Sequence, residues 1–301
     1  MVTMIPYLPE GVTPELYPFA GKYLTLKSGA KMHYLDEGAG APVVMLHGNP
    51  SWSFYYRNLA QALRGAVRVI VPDHIGCGLS EKPGDDGYNY TLKSRIDDIE
   101  YLLDSLGVKE NVTLVVHDWG GMIGLAYAVR RPERIKKLVI LNTGAFFLPD
   151  GKTFPAALRL CRTPLGAVLV RGFNAFARGA AWVGCKRRRM SRQLRRAYAA
   201  PYNSWGNRIA TLRFVEDIPL APGDKAWPLV YGTQEKLTSL STVPMLICWG
   251  LKDFVFDGHF LAEWRRRFPH AEVHSFPDCG HYILEDAGDE VIPIIKRFTD
   301  A

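Results

Sequence analysis

The chain has 301 residues, of which 48% are hydrophobic and 22% charged, the proportions of a globular enzyme and not of a fibre or a disordered tail. At this length it can bury most of the surface its unfolded form exposes, as one large α/β domain or as two smaller ones. The net charge of +7 is concentrated: segment 145–232 carries 15 Lys and Arg against 4 Asp and Glu, which leaves the remainder net acidic.

The N-terminus, with Pro6, Pro9, Glu10 and Pro14, lacks the charged-then-apolar layout of a signal peptide. No uncharged apolar run reaches the about 20 residues a membrane helix needs. Five scattered cysteines without a C-x-x-C pair argue against a disulfide framework and against a zinc site. A cytoplasmic enzyme without a metal is expected.

In chain order, short runs rich in Val, Ile and Leu predict strands at 31–36, 42–46, 67–71, 112–117, 137–141, 244–249 and 271–276, with longer stretches of helical spacing between them. That alternation is the mark of a mostly parallel sheet flanked by helices. Between the third and fourth strands Thr91 can cap a helix whose Leu92, Ile96, Ile99, Leu103 and Leu106 fall on one face, with Gly107 just past its end. After residue 141 the strand rhythm stops for about 100 residues and resumes at Pro244. The interruption reads as a helical cap, 143–232, inserted into a core made of 1–142 and 233–301.

Strand 112–117 runs into Asp118-Trp119-Gly120-Gly121 and then a helical stretch, the strand, sharp turn and helix of a nucleophile elbow. Asp118 stands where such elbows usually carry Ser, and Val116 where they often carry Gly. A carboxylate can displace a leaving group at an sp³ carbon and form an ester, whereas a serine would leave an inert ether. The alternative for Asp118 alone is a helix N-cap. His47-Gly48-Asn49-Pro50 follows strand 42–46 and puts Asn49 in a loop with donors for an oxyanion or halide. Asp253 lies just past the resumed strand and His281 past the last one, so nucleophile, acid and histidine come in the order of the α/β-hydrolases. Asn142 and Thr143 offer no competing acid.

With these motifs on one chain, HGNP and HDWGG together, the sequence resembles an α/β-hydrolase of the haloalkane dehalogenase superfamily. That resemblance implies that Asn49 and Trp119 hold the departing negative group. Epoxide hydrolases share HDWGG but carry an aromatic residue at the position of Asn49 and need two cap tyrosines, for which Tyr198 and Tyr202 are candidates. The insertion resembles more strongly the β-lactone decarboxylases of bacterial long-chain olefin biosynthesis (the OleB family), through Asn142–Phe146, Leu169–Phe176, Pro201–Trp205, Arg213–Leu220 and Asp253–Asp257.

The decarboxylase resemblance implies conversion of a cis-3,4-dialkyl β-lactone to a cis-alkene and CO₂, without a cofactor, and assembly with the β-lactone synthetase and ketone reductase of that pathway. The dehalogenase resemblance implies hydrolysis of haloalkanes to alcohol and halide. Phe146, Phe147, Phe173, Phe176, Trp205 and Phe214 are expected to line an apolar substrate pocket. The run Lys186–Arg189 with Arg192, Arg195 and Arg196 can meet an anionic partner or membrane surface, or be a solvated helix face. No nucleic-acid-reading module accompanies it.

Overall fold

The computed structural model describes residues 8–300. Eight strands form one sheet: β1 Lys22–Thr25, β2 Lys31–Glu37, β3 Pro42–Leu46, β4 Arg68–Pro72, β5 Val112–Asp118, β6 Ile135–Thr143, β7 Met245–Gly250 and β8 Glu272–Phe276. Their order is β1-β2-β4-β3-β5-β6-β7-β8, with β2 antiparallel to both of its neighbours, β1 and β4, and the remaining pairs parallel. The expected strands are all present within a residue or two at each end, the largest difference being β6, which runs from Ile135 to Thr143. β1, four residues of alternating half-buried and exposed character at the sheet edge, has no counterpart in the apolar runs of the sequence.

The central strands are apolar on both faces because helices cover both. Leu114 and Val116 of β5 join one core cluster with Ile247 and Trp249 of β7, while Val115, Leu246 and Cys248 point to the opposite cluster. The covering helices are α1 Arg57–Leu63, α2 Leu92–Ser105, α3 Trp119–Arg130, α10 Gly258–Arg267, α11 Ile283–Asp286 and α12 Gly288–Asp300, and between β6 and β7 lie α4 Ala156–Cys161, α5 Pro164–Phe173, α6 Ala175–Val183, α7 Arg192–Ala199, α8 Ile209–Glu216 and α9 Trp227–Lys236. α2 starts as its sequence predicts: the Thr91 side chain accepts the Ser94 N–H, and Gly107 turns the chain at a φ of +69°.

Parallel strands bring the loops after β3, β5, β6, β7 and β8 to one edge of the sheet. This edge is where an open α/β sheet presents its chemistry.

Candidate active site

Asp118 ends β5 and Trp119 begins α3, so the carboxylate stands at a sharp turn between strand and helix, with a φ of 52° that a non-glycine residue seldom adopts. The bend closes because its neighbours are small. A side chain at Gly120 would strike the Leu46 carbonyl, one at Gly121 the Thr143 side chain, and one at Gly48 the Asp118 carboxylate itself. Thr143 Oγ1 donates to the Asp118 carbonyl and fixes the turn from β6.

The Asp118 carboxylate accepts the Asn49 backbone N–H at 2.6 Å, and the Trp119 backbone N–H also faces it. Its other oxygen lies 3.7 Å from His281 Nε2. Burial pushes this carboxyl above the usual range, against the pull of His281 and of the two N–H groups. His281 Nδ1 in turn meets Asp253 Oδ2 at 2.7 Å. Burial favours the neutral imidazole, but the charge and hydrogen bond of Asp253, with Asp118 beyond, more than offset it and hold His281 above its ordinary value.

Two residues the sequence left without a role secure this triad. Asn142, left-handed at a φ of 33°, donates to Asp253 Oδ2 at 3.1 Å and pairs with the Gly250 backbone through both ends of its amide. It was legible only as the absence of an acid after β6, and its amide is what orients the acid from β7. His117, fully buried and held far below the ordinary imidazole value by burial and by His281, is neutral and donates from Nε2 to the His281 carbonyl at 2.9 Å. The residue before the nucleophile thus anchors the backbone of the histidine.

Asn49 is buried, and its side-chain N–H reaches the Thr211 carbonyl of α8 at 3.0 Å. An amide nitrogen carries two hydrogens, so one donor remains for the cavity that Asn49 lines. The indole N–H of Trp119 has no hydrogen-bond partner among the described residues, and Trp119 lines the same cavity.

That cavity has a volume of about 470 Å³ and ends on Asp118 and His281. Of the six aromatic residues expected to line it, Phe146, Phe147 and Phe176 do. Phe146 stacks on Phe260, and Phe147 on Trp227. Phe214 does not: it is fully buried against Trp119, with the Arg95 guanidinium 3.6 Å from its ring centre. Phe173, the last residue of α5, and Trp205, in the turn that precedes α8, do not line it either and are more than half exposed. Phe256, whose ring lies nearly parallel to His281, and Val230 of α9 are lining residues that sequence spacing did not mark. Tyr198 and Tyr202 are buried away from the cavity, their hydroxyls donated to Glu285 and to the Ser51 carbonyl.

Comparison with known proteins agrees with this architecture. The family described as alpha/beta hydrolase fold matches residues 41–288. The chain is 66% identical over 284 residues to the cis-3-alkyl-4-alkyloxetan-2-one decarboxylase of Shewanella oneidensis, covering 94% of this chain and 89% of that protein. It is 49% identical to the protein of the same name from Xanthomonas campestris pv. campestris, over 94% of this chain and 97% of the relative. Among solved structures, the haloalkane dehalogenase DbeA from Bradyrhizobium elkani superposes with a TM-score of 0.84 at 27% identity, covering 94% of this chain and 98% of that one.

Proposed function

The chain belongs to the α/β-hydrolase fold family, in the company of haloalkane dehalogenases and cis-3-alkyl-4-alkyloxetan-2-one decarboxylases, and from that membership we infer that it is a β-lactone decarboxylase, turning a cis-3,4-dialkyl β-lactone into a cis-alkene and CO₂. The observation that carries this reading is the 66% identity to a protein of that name along 94% of the chain. An apolar cavity that ends on a carboxylate suits such a substrate.

In this reading residues 143–232 form a cap over a core of 1–142 and 233–301, and Asp118 is the nucleophile. One Asp118 oxygen attacks the alkyl-bearing ring carbon that carries the ring oxygen, from the opposite face. That C–O bond breaks and its electron pair leaves on the freed carboxylate, which the side-chain N–H groups of Asn49 and Trp119 receive. The bond from that carboxylate to its alkyl-bearing neighbour then gives its pair to the new C=C bond, CO₂ departs, and the ester bond returns its pair to Asp118. Inversion followed by anti elimination is syn overall, so a cis-lactone yields a cis-alkene. Water and protons are not consumed. Attack at the sp³ carbon is favoured because the backbone N–H groups of Asn49 and Trp119, the donors an acyl oxyanion would use, are turned to Asp118 itself. His281, oriented by Asp253, holds positive charge beside Asp118 and eases its departure from the ester.

A haloalkane dehalogenase would use the same five residues, with His281 activating water against the ester. The two side-chain donors and the resemblance to DbeA favour that alternative, and the far higher identity to the decarboxylases weighs against it. An epoxide hydrolase is disfavoured by the engagement of Tyr198 and Tyr202 away from the cavity. Cytoplasmic residence and hand-over of the lactone within an assembly with the synthetase and reductase of the pathway belong to the same reading; the buried, unbridged thiols of Cys77, Cys185, Cys248 and Cys279 suit a reducing compartment. The test is parallel incubation of the purified protein with a long-chain cis-β-lactone and with bromo- and iodoalkanes. Alkene and CO₂ from the first and negligible halide from the second are expected; the reverse would assign the protein to the dehalogenases.

A further inference from the structure

Most of the large apolar side chains exposed on the described surface lie within residues 148–205. Leu165 and Phe173 of α5 are 63% and 64% exposed, and Trp182 of α6 is 56% exposed. α5 is apolar almost all round, with Arg171 its single charge: Leu169 and Val170 line the cavity while Leu165, Val168 and Phe173 face outward. A helix of that composition is ordinarily covered on every side.

The same surface is cationic with little counter-charge, Arg187 alone of its basic run pairing with carboxylates, those of Asp278 and Glu290. No Asp or Glu occurs between Asp150 and Glu216. Arg159, Arg178, Arg188, Arg189, Arg192 and Arg196 form no ion pair among the described residues. Two arginines lie over exposed indoles, Arg195 at 4.2 Å from the Trp182 ring centre and Arg171 at 4.7 Å from that of Trp205. Apolar and cationic groups therefore share one face.

The cavity opens on that face. Leu148, Leu160, Val183 and Phe254 line the cavity and are also exposed, so the mouth lies among them. Val183 follows Trp182 on α6, and Gly166 packs α5 directly on the Leu160 backbone.

We propose that the outer face of α4–α7 seats the protein on an anionic lipid surface, with the cavity mouth turned to the acyl chains. Lipid phosphates match the unpaired arginines, and the layer beneath them accepts Leu165, Phe173 and Trp182. No helix among the described residues is long and apolar enough to cross a membrane, so the contact is peripheral. Its purpose rests on the lactone reading: a dialkyl lactone and an alkene both reside in lipid, and a mouth pressed against the bilayer lets each pass without crossing water.

The test is co-sedimentation with vesicles of phosphatidylcholine alone or mixed equally with phosphatidylglycerol, at low and high salt. Two variants accompany the wild type, Arg188→Glu/Arg189→Glu/Arg192→Glu and Leu165→Ser/Phe173→Ser/Trp182→Gln. Each basic residue near an anionic leaflet strengthens binding about fivefold, so the charge-reversed variant should bind the mixed vesicles at least about tenfold more weakly, as should the wild type at high salt. The apolar variant should also bind more weakly, and both should keep their melting temperature and their turnover of detergent-dispersed lactone. Wild type that stays in the supernatant with mixed vesicles, or variants that bind as it does, would overturn the proposal. So would a wild-type dimer that the apolar variant converts to monomer, because a second copy would then cover this face. Binding is read without lactone, so a protein that docks as expected yet fails to decarboxylate supports the docking and contradicts the lactone reading alone.

Discussion

His281 Nδ1 stands 2.7 Å from Asp253, and His33 Nδ1 stands 2.8 Å from Asp73. As isolated pairs they are nearly interchangeable. Their surroundings differ. His281 lines the cavity with its second nitrogen toward Asp118, whereas the second nitrogen of His33 is buried without a partner and Asp73 is consumed by the Ser53 and Leu79 N–H groups. A His–Asp contact becomes chemistry only where its free nitrogen reaches a reacting group, and elsewhere it holds loops together. Asp73 joins the β4 end to the loops at Ser53 and Leu79, and so supports the edge on which Asn49 sits.

The largest effect that sharpens this contrast is at the group His281 faces. Asp118→Asn should lower alkene formation by roughly 10⁴-fold or more at an unchanged melting temperature, since the amide keeps the shape and loses the nucleophile. The paired variants come next. Asp253→Asn should reduce turnover by about 10²-fold or more through misorientation of His281. Asp73→Asn should leave turnover per folded molecule as it is and lower stability by about 2 kcal/mol. Equal loss of turnover in both would erase the distinction.

The same pairs should separate by pH, with opposite signs. Burial alone would raise Asp73, but the hydrogen bond and charge of His33, with His47 and the Leu79 N–H, bring it to about 2 from 3.8. A depressed carboxyl stabilises above its unfolded value, so the roughly 2 kcal/mol it contributes is lost as pH falls through the window between those values. His281 is raised, so its contribution is full below 6.5 and lost as pH rises through its folded value. Melting temperatures against pH should therefore show the Asp73→Asn deficit shrinking toward acid and the Asp253→Asn deficit shrinking toward base. Parallel curves would contradict both assignments.

Smaller effects probe the cavity. Asn49→Ala should slow turnover by about 2–4 kcal/mol of transition-state stabilisation if its spare N–H receives the departing carboxylate. A fall in melting temperature with unchanged turnover would make Asn49 a turn and cap tether only. Phe176→Ser should weaken the dependence of kcat/KM on alkyl length, near 0.8 kcal/mol per buried methylene at most, while Phe173→Ser should leave it alone.

What the sequence made legible follows from what carries a local signal. Strands such as 112–117 announce themselves by continuous apolar runs, and the elbow by Asp118 with two glycines, because both are short-range features. The direction a cap helix turns is different. α5 is apolar around its circumference apart from Arg171, so no periodicity distinguishes Phe173, which faces outward, from Leu169, which lines the cavity. Phe214 sits on a helix buried on nearly every side, and its ring packs on Trp119 and Arg95 while the next residue, Val215, lines the cavity. Asn142 and His117 act through carbonyls and carboxylates far along the chain, contacts that nothing near them in sequence discloses.

In the proposed reaction the ester on Asp118 leaves by elimination and not by water. Turnover of a cis-β-lactone in heavy-oxygen water, followed by mass analysis of the peptide that carries Asp118, tests it most directly. Alkene should be the product, with no heavy oxygen in the Asp118 carboxylate after many turnovers. Heavy oxygen accumulating in that carboxylate, with a β-hydroxy acid in place of the alkene, would contradict it.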